Sequence, residues 1–428
     1  MDIERLETAF TMDTSSIKFG LGATREIGFE MERLGTKRVM VVTDPRMVQM
    51  EPVEVVLESL RESGIDFAVF DQVSVEPTDQ SFKEAIAFAE AGNFDGFVSV
   101  GGGSSIDTAK AANLYSTHPA DFLTYVNAPI GLGTPVPGPL MPHVAVPTTS
   151  GTGSETTGIA IFDLLEMRAK TGIAHRAIRP TMGIVDPNNT RTLPRMVTAC
   201  SGFDVLCHGL ESYTALPYHL REAPDGPAMR PAYQGSNPIS DIWAVRAIDM
   251  VAHNILRAVE DPEDDDARSN MLMAATFAGV GFGNAGVHLP HGMSYPVSGM
   301  VREFVPEGYP EDHAIIPHGM SVIMNAPAVF RFTASTNAER HLEAARLMGA
   351  EVSGAGSDDA GEILSGAIVK LLKEIGVPNG LSAIGYGPDD APQLAAGAMP
   401  QARVIKLSPR AVTEDDLRQL FLDSMTLW

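Results

Sequence analysis

"FDGFVSVGGGSSIDTAKAANLY", residues 94–115, reads as a strand, a tight glycine turn and a helix. The strand portion carries apolar side chains without a regular polar face. Such a strand is buried on both sides, which belongs in a parallel sheet covered by helices. Three consecutive glycines let backbone N–H groups approach an anion closely, and the start of a helix favours negative charge. The plainer reading is a strand-to-helix turn with Ser104 or Ser105 as its N-cap. The stretch is neither the G-x-G-x-x-G fingerprint nor a phosphate-binding loop ending in Gly-Lys-Ser/Thr.

The sequence on either side repeats the alternation. "RVMVVTD" (38–44) and "DFAVFD" (66–71) read as strands, and "PVEVVLESLRES" (52–63) and "SFKEAIAFAEAG" (81–92) as helices. "VNAPIGLGTPVPGPLMP" (126–142) is loop by its Pro and Gly content, and "HVAVPTTSGTGSE" (143–155) is a short strand running into a hydroxyl-rich turn. Asp44 closes one strand, where a lone carboxylate can accept the two hydroxyls of a ribose; its plainer role is a turn residue in "TDP". Thr148, Thr149, Ser150 and Thr152 follow another strand. Three strand ends with ribose- or phosphate-suited groups point to one nucleotide crevice at the carboxyl edge of a sheet.

The chain has 428 residues and a formal net charge of -23. The length predicts two domains. The charge argues against nucleic acid or an anionic membrane as partner, while leaving room for an anionic small substrate in a locally basic cleft. No apolar run reaches the length of a spanning helix. The acidic start "MDIERLETAF" has neither a signal core nor an Arg-rich transit pattern, so cytoplasm is the expectation. Cys200 and Cys207 lie about two helical turns apart, too far for a disulfide.

From about residue 191 helical spacing takes over, with a Pro/Gly-rich insertion at 216–238 and an acidic helix start at 260–269. The expected architecture is an α/β nucleotide-binding domain with a parallel sheet (1–190) and an all-α metal-binding domain (191–428). In "SGFDVLCHGLESY" (201–213), Asp204 and His208 share a helical face and can hold a cation. Alternatively, Ser201 and Asp204 form a capping box and His208 is a core residue. "GVHLPHGMSYP" (286–296) and "IIPHGMS" (315–321) both contain Pro-His-Gly-Met-Ser. Pro290 disfavours helical backbone at Leu289, so His288 and His291 are not expected to share a face. The repeat puts His291 and His318 at equivalent turns. Asp204, His208, His291 and His318 then suit iron(II) first and zinc second, rather than calcium or magnesium. The remaining histidines, including His143, His313 and His341, have no comparable context.

"GGGSSIDTAKA", "PTTSGTGSE", "GFDVLCHGLESY" and the two Pro-His-Gly segments, in this order, resemble the iron-dependent (group III) alcohol dehydrogenases. "RPAYQGSNPISDIWA" and "FGNAGVHLPHGMSYPVSGM" bring the likeness closest to the hydroxyacid-oxoacid transhydrogenase branch. The resemblance implies an active site in a cleft between the two domains, with the four residues above holding the ion. It implies that Gly101, Gly102, Gly103 and Ser104 meet the pyrophosphate of NAD, that Asp44 meets its ribose, and that Thr148, Thr149 and Thr152 line the cofactor site. It implies hydride transfer from 4-hydroxybutyrate to 2-oxoglutarate, and in eukaryotic members a mitochondrial location. Many iron-dependent alcohol dehydrogenases have a second histidine four residues after the third ligand. Here Tyr295 stands at that position and becomes the candidate catalytic residue. A phenol, titrating near 10, donates a hydrogen bond at neutral pH but does not act as a base. The carboxylate-binding group is left open among Arg246, Arg257, Arg268 and Arg302. A homo-oligomer is compatible with all of this.

Overall fold

Gly101 ends one strand and Asp44 lies two residues past the end of its neighbour, on either side of the point where the sheet reverses its order. In the computed structural model, which describes residues 6–167, 169–309 and 314–428, six parallel strands form one sheet in the order β1-β8-β5-β4-β2-β3. They are β1 (Ser16–Phe19), β2 (Arg38–Val42), β3 (Asp66–Phe70), β4 (Gly96–Gly101), β5 (His143–Pro147) and β8 (Met182–Val185). The chain runs outward from β2 to β3 and returns to β4 on the other side of β2, so the switch point lies between β2 and β4. In open α/β sheets ligands bind at such a point, beyond the carboxyl ends of the strands. Helices α1 (Ile27–Arg33), α2 (Glu51–Glu62), α3 (Asp79–Gly92) and α4 (Gly103–Thr117) alternate with the first strands. The β-branched runs of β2, β4 and β5 are buried throughout, as strands covered on both faces must be.

Spacing had not indicated β1, β8 or the antiparallel pair β6 (Ile159–Leu164) and β7 (Ala169–Ala174). All four are short. β1 is a mostly exposed edge strand, whose sequence lacks the apolar run that marks a central one. Asp13–Thr192 make up this compact unit.

The second unit is Leu193–Trp428, joined by the N-terminal segment that ends at Met12. It contains α5 (Arg195–Thr214), α6 (Pro238–Glu260), α7 (Asp265–Ala285), α8 (Leu289–Gly299), α9 (His318–Ile323), α10 (Ala326–Thr333), α11 (Ala338–Leu347), α12 (Ala360–Ile375), α13 (Ala391–Ala398), α14 (Ala402–Ile405) and α15 (Glu414–Asp423). α5 is buried on all sides, so it is the axis of this unit rather than an amphipathic surface helix. Its glycines allow that: a methyl on Gly202 would lie 2.7 Å from Ile255 Cδ1, and one on Gly209 2.8 Å from Ile248 Cγ1, both on α6. Among the described residues no single helix is long and apolar enough to cross a membrane.

Two local expectations are corrected. α5 begins at Arg195, so Ser201 and Asp204 lie inside the helix and form no capping box. α8 begins at Leu289, one residue before the proline, with His288 as its N-cap at φ -134°.

Candidate metal centre and nucleotide turn

α5 carries Asp204 and His208 one turn apart, and both are buried. The two Pro-His-Gly-Met-Ser segments open α8 and α9, and the repeat has a physical explanation at each position. The proline sets the helix start. The glycine permits close approach: a methyl on Gly319 would lie 1.9 Å from the Cys200 carbonyl oxygen of α5, and one on Gly292 2.6 Å from Ile405 Cδ1. Met293 and Met320 are fully buried. Ser294 and Ser321 each donate to the carbonyl of the histidine three residues earlier, at 2.8 and 2.7 Å. Two helices are thus pressed tip-first against α5 and α14, each presenting a histidine.

The result is convergence on one carboxylate oxygen. Nε2 of His291, His208 and His318 lie 3.4, 3.6 and 3.7 Å from Asp204 Oδ1. Donor atoms of Asp204, His208 and His291 all lie within 4.8 Å of one another. His318 stands at the rim, with its ring 5.2 Å from that of His291 and its side chain 29% exposed. Phe282 stacks on the His208 ring at 3.8 Å and closes the opposite side.

Asp204 Oδ1 and the His291 Nε2 that faces it are buried without a hydrogen-bond partner; on His208 the unbonded atom is Nδ1, while Nε2 is the nitrogen that faces Asp204. Buried polar atoms are nearly always satisfied, so such a cluster suits an ion at its centre. Burial alone would raise the Asp204 carboxyl, but His208, His318 and His291 hold it well below the usual range. Burial pushes His208 down to about 3 against the pull of Asp204, leaving a neutral imidazole fit to bind a cation. Burial also disfavours the charged form of His291, yet Glu211 and Asp204 override it and push the ring up to about 10. A positive charge is therefore favoured where His291 Nε2 faces Asp204. One carboxylate with three imidazoles fits a borderline divalent ion.

Glu211, fully buried on α5, had not been singled out. Its Oε1 accepts from His291 Nδ1 at 2.6 Å, while Oε2 accepts the backbone N–H of His288 at 2.6 Å and that of His291 at 3.4 Å. This fixes the His291 tautomer and aims Nε2 at Asp204. Its spacing was the available signal: Glu211 follows Asp204 by seven residues and His208 by three, on the same face. His288 is outside the cluster. The Thr214 hydroxyl donates to Leu210 O, so His288 Nε2–H donates to Thr214 Oγ1 at 3.0 Å.

Tyr295 lies one turn after His291 on α8 and is buried. Its hydroxyl oxygen accepts from Arg403 Nη2 at 3.1 Å, and the Arg403 guanidinium lies over the Tyr233 ring at 4.8 Å. The arginines considered from sequence are placed elsewhere. Arg246 pairs with Asp249, Arg257 with Asp264 and Asp266, and Arg302 with Asp390, all with exposed side chains. Arg268 is buried near the start of α7, in the field of Asp265, Glu263 and Asp261. The other histidines have ordinary surroundings, as His143 with Ser99 at 2.8 Å and His341 with Thr333 at 3.0 Å; His313 lies outside the described residues.

In the α/β unit, α4 begins at Gly103 with Gly102 as N-cap and no side-chain cap, so Ser104 and Ser105 do not serve that purpose. The uncapped first-turn N–H groups suit an anion. A methyl on Gly102 would lie 3.2 Å from Thr149 Cγ2, and one on Gly103 2.6 Å from Thr152 Cγ2. The glycines therefore let the hydroxyl-rich turn close over the start of α4, bringing Thr149 and Thr152 beside it. Asp44 Oδ1 accepts from the backbone of Arg46 and Met47, while a methyl on Gly101 would lie 4.0 Å from Asp44 Oδ2. The turn role thus falls to Oδ1 of Asp44. Beneath the turn, fully buried Lys110 donates to Asp107 at 3.1 Å, Ser154 at 2.5 Å and Ile159 O at 2.7 Å, and so anchors the end of the hydroxyl-rich segment.

The description "Iron-containing alcohol dehydrogenase" matches residues 14–187, and "Fe-containing alcohol dehydrogenase family, C-terminal" matches residues 232–425. The chain belongs to the iron-containing alcohol dehydrogenase family. Within it, "Hydroxyacid-oxoacid transhydrogenase, mitochondrial" of Bos taurus is 56% identical over 422 residues, covering 98% of this chain and 91% of the relative. The crystal structure of 1,3-propanediol oxidoreductase matches with a TM-score of 0.85 at 29% identity, over 97% of this chain and all of that one. Alcohol dehydrogenase from Oenococcus oeni matches with a TM-score of 0.84 at 27% identity, over the same shares. The fold class read from the alternating strands and helices is that of these family members.

Proposed function

We propose that the protein is a metal- and NAD-dependent oxidoreductase, a hydroxyacid-oxoacid transhydrogenase. It would oxidise 4-hydroxybutyrate to succinic semialdehyde and reduce 2-oxoglutarate to 2-hydroxyglutarate, with the hydride carried by bound NAD. The observation behind this is the convergence of buried Asp204, His208 and His291, with Asp204 Oδ1 and His291 Nε2 unbonded, in a chain 56% identical to a relative of that name. Asp204, His208, His291 and His318 would hold the ion, iron(II) in preference to zinc. When bound, it supplies Lewis acidity toward the substrate oxygen.

The chain's own groups do the rest. Glu211 keeps the Nδ1 proton on His291, so that an ion would replace the proton at Nε2 and take that nitrogen as its donor atom. Gly101, Gly102, Gly103 and Ser104 would take the pyrophosphate, Asp44 the ribose hydroxyls, and Thr148, Thr149 and Thr152 the cofactor wall. Because Arg403 donates to the Tyr295 oxygen, the Tyr295 proton is free to be given to a substrate. The proton released on oxidation leaves through water or a hydroxyl relay, because His288, the nearest other imidazole in the sequence, is committed to Thr214. The compartment proposed is the mitochondrion in a eukaryotic source, as in the name of the bovine relative, and otherwise the cytoplasm.

The test is incubation with 4-hydroxybutyrate and 2-oxoglutarate without added nucleotide. Steady formation of both products supports transhydrogenation. Strict dependence on excess NAD, with NADH released, would make the protein a 4-hydroxybutyrate or alcohol dehydrogenase instead. His291→Ala should lose both metal and turnover, and activity without metal would overturn the assignment.

A further inference from the structure

Arg403 is a half-buried cation that the metal chemistry does not use. Its Nη2 bonds the Tyr295 hydroxyl, its guanidinium covers the Tyr233 ring, and its Nη1 is buried with no partner. No described carboxylate pairs with it. A guanidinium nitrogen that is buried normally has an acceptor, because desolvating it unpaired is costly. Here one prong of the fork is left open, and a planar fork matches a carboxylate.

Its place relative to the ligand set follows from two chains of contact. Tyr295 and His291 are four residues apart on one face of α8, about 6 Å along the axis. Tyr233 meets Phe282 edge-on at 6.4 Å, and Phe282 stacks on His208 at 3.8 Å. The 233–235 segment is pinned along the end of α7 by bonds from Gln234 N to Asn284 O and Gly235 N to Ala285 O, both 2.8 Å. Gly286 lets Tyr233 and Leu407 close in, since a methyl there would lie 2.9 and 2.4 Å from them.

We propose that Arg403 binds a substrate carboxylate, specifically one set three carbons from the carbon that loses or gains hydride. This rests on the transhydrogenase reading above. It explains how one pocket serves two substrates. 4-Hydroxybutyrate and 2-oxoglutarate share that distal carboxylate at the same separation from the reacting carbon, and they differ in the carboxylate attached directly to it. One cation about a helical turn from the ligand set can therefore hold both.

The test compares Arg403→Met and Arg403→Lys with the parent, each checked for metal content. The substrates are 4-hydroxybutyrate and its neutral amide, 4-hydroxybutyramide, and binding of glutarate to the metal- and NAD-loaded protein is measured by calorimetry. The acid-over-amide ratio of kcat/KM should fall about 100-fold in Arg403→Met, the size expected for loss of a charge-assisted hydrogen bond. Glutarate affinity should fall in parallel, and Arg403→Lys should lie between. An unchanged ratio, or equal losses on acid and amide with metal retained, would overturn the proposal and leave Arg403 as a support for Tyr295. If Arg403→Met does not fold, parent-like ratio and glutarate affinity in Arg403→Lys would overturn it. A parent that binds glutarate through Arg403 but exchanges no hydride would refute the transhydrogenase reading while leaving the clamp in place.

Discussion

Glu211→Gln tests whether the carboxylate behind His291 sets the metal affinity. The substitution changes shape little but removes the charge and turns one acceptor into a donor. Both carboxylate oxygens are in use, Oε1 at 2.6 Å from His291 Nδ1 and Oε2 at 2.6 Å from the His288 N–H. A glutamine must fail one of them. If its oxygen faces His291, its NH₂ group meets the His288 N–H, donor against donor. If it turns over, the NH₂ faces Nδ1, and the ring shifts its proton to Nε2, the atom that points at Asp204. Loss of a hydrogen bond to a charged group costs about 1.5–3 kcal/mol. That corresponds to a metal affinity about 10- to 150-fold weaker. Chelator competition on the purified parent and variant, with metal content by elemental analysis, measures it. The loss should also be larger than that of a surface control such as Glu343→Gln, whose partner is the exposed Arg346. A Glu211→Gln protein that binds metal as tightly as the parent would refute the tautomer argument, because both orientations of the amide predict a loss.

Gly319→Ala places a methyl 1.9 Å from the Cys200 carbonyl and must push α9 off α5. It should cost about 3 kcal/mol and lower the melting temperature by about 6–12 °C, with metal lost as His318 moves; an unchanged melting curve would mean α9 is not held this tightly. His143 is kept neutral by burial, which pushes its pKa down to about 3, with Lys110 adding to the effect. A folded pKa below the unfolded value of about 6.5 means the unfolded chain binds the proton first, so stability falls as pH drops from about 6.5 toward 3. At pH 5 the loss relative to pH 7 should be about 2 kcal/mol from this residue, and His143→Asn should show a correspondingly flatter dependence in urea unfolding. Tyr295→His should keep the metal and alter rate or substrate preference. If it and Tyr295→Phe both match the parent with every substrate pair, Tyr295 has no role in the chemistry.

What was legible in the sequence was whatever depends on local periodicity. β2, β4 and β5 announced themselves as unbroken apolar runs, and the glycine turn between β4 and α4 could be placed because strand and helix patterns flank it. Asp204 and His208 could be paired because a helix brings residues four apart onto one face. The edge strand β1 carried no such signal, since a short and mostly exposed strand has little periodicity to read, and in β7 the apolar run is broken by Lys170, Thr171 and Gly172. The start of α5 is hard to read for a similar reason: a helix buried all round shows no polar face to mark its register, and Ser201 and Asp204 offer the pattern of a capping box inside it. Arg403 was beyond reach. It lies 108 residues from Tyr295 in sequence, and only the packing of α14 on α8 brings the two together.

The charge balance of this buried region argues for an anionic substrate despite the chain's formal charge of -23. Asp204 and Glu211 are two buried carboxylates, and the imidazole surroundings hold both in the ionised form. A divalent ion at the convergence of the histidines would cancel those two charges. Arg403 then remains as an uncancelled positive charge, with no acid of the described chain beside it and Nη1 open. At low effective dielectric a neutral alcohol gains little from that charge, whereas a carboxylate neutralises it and accepts from the open prong of the fork. The surface, rich in acids, would slow the approach of an anion, so encounter should be faster at higher ionic strength, opposite to the behaviour of an electrostatically steered substrate. Affinity for acids and a positive salt dependence of their association rate should therefore occur together in this protein. A rate that falls with salt would mean that the entrance carries local positive charge, and the global sign of the chain would then say nothing about how its substrate arrives.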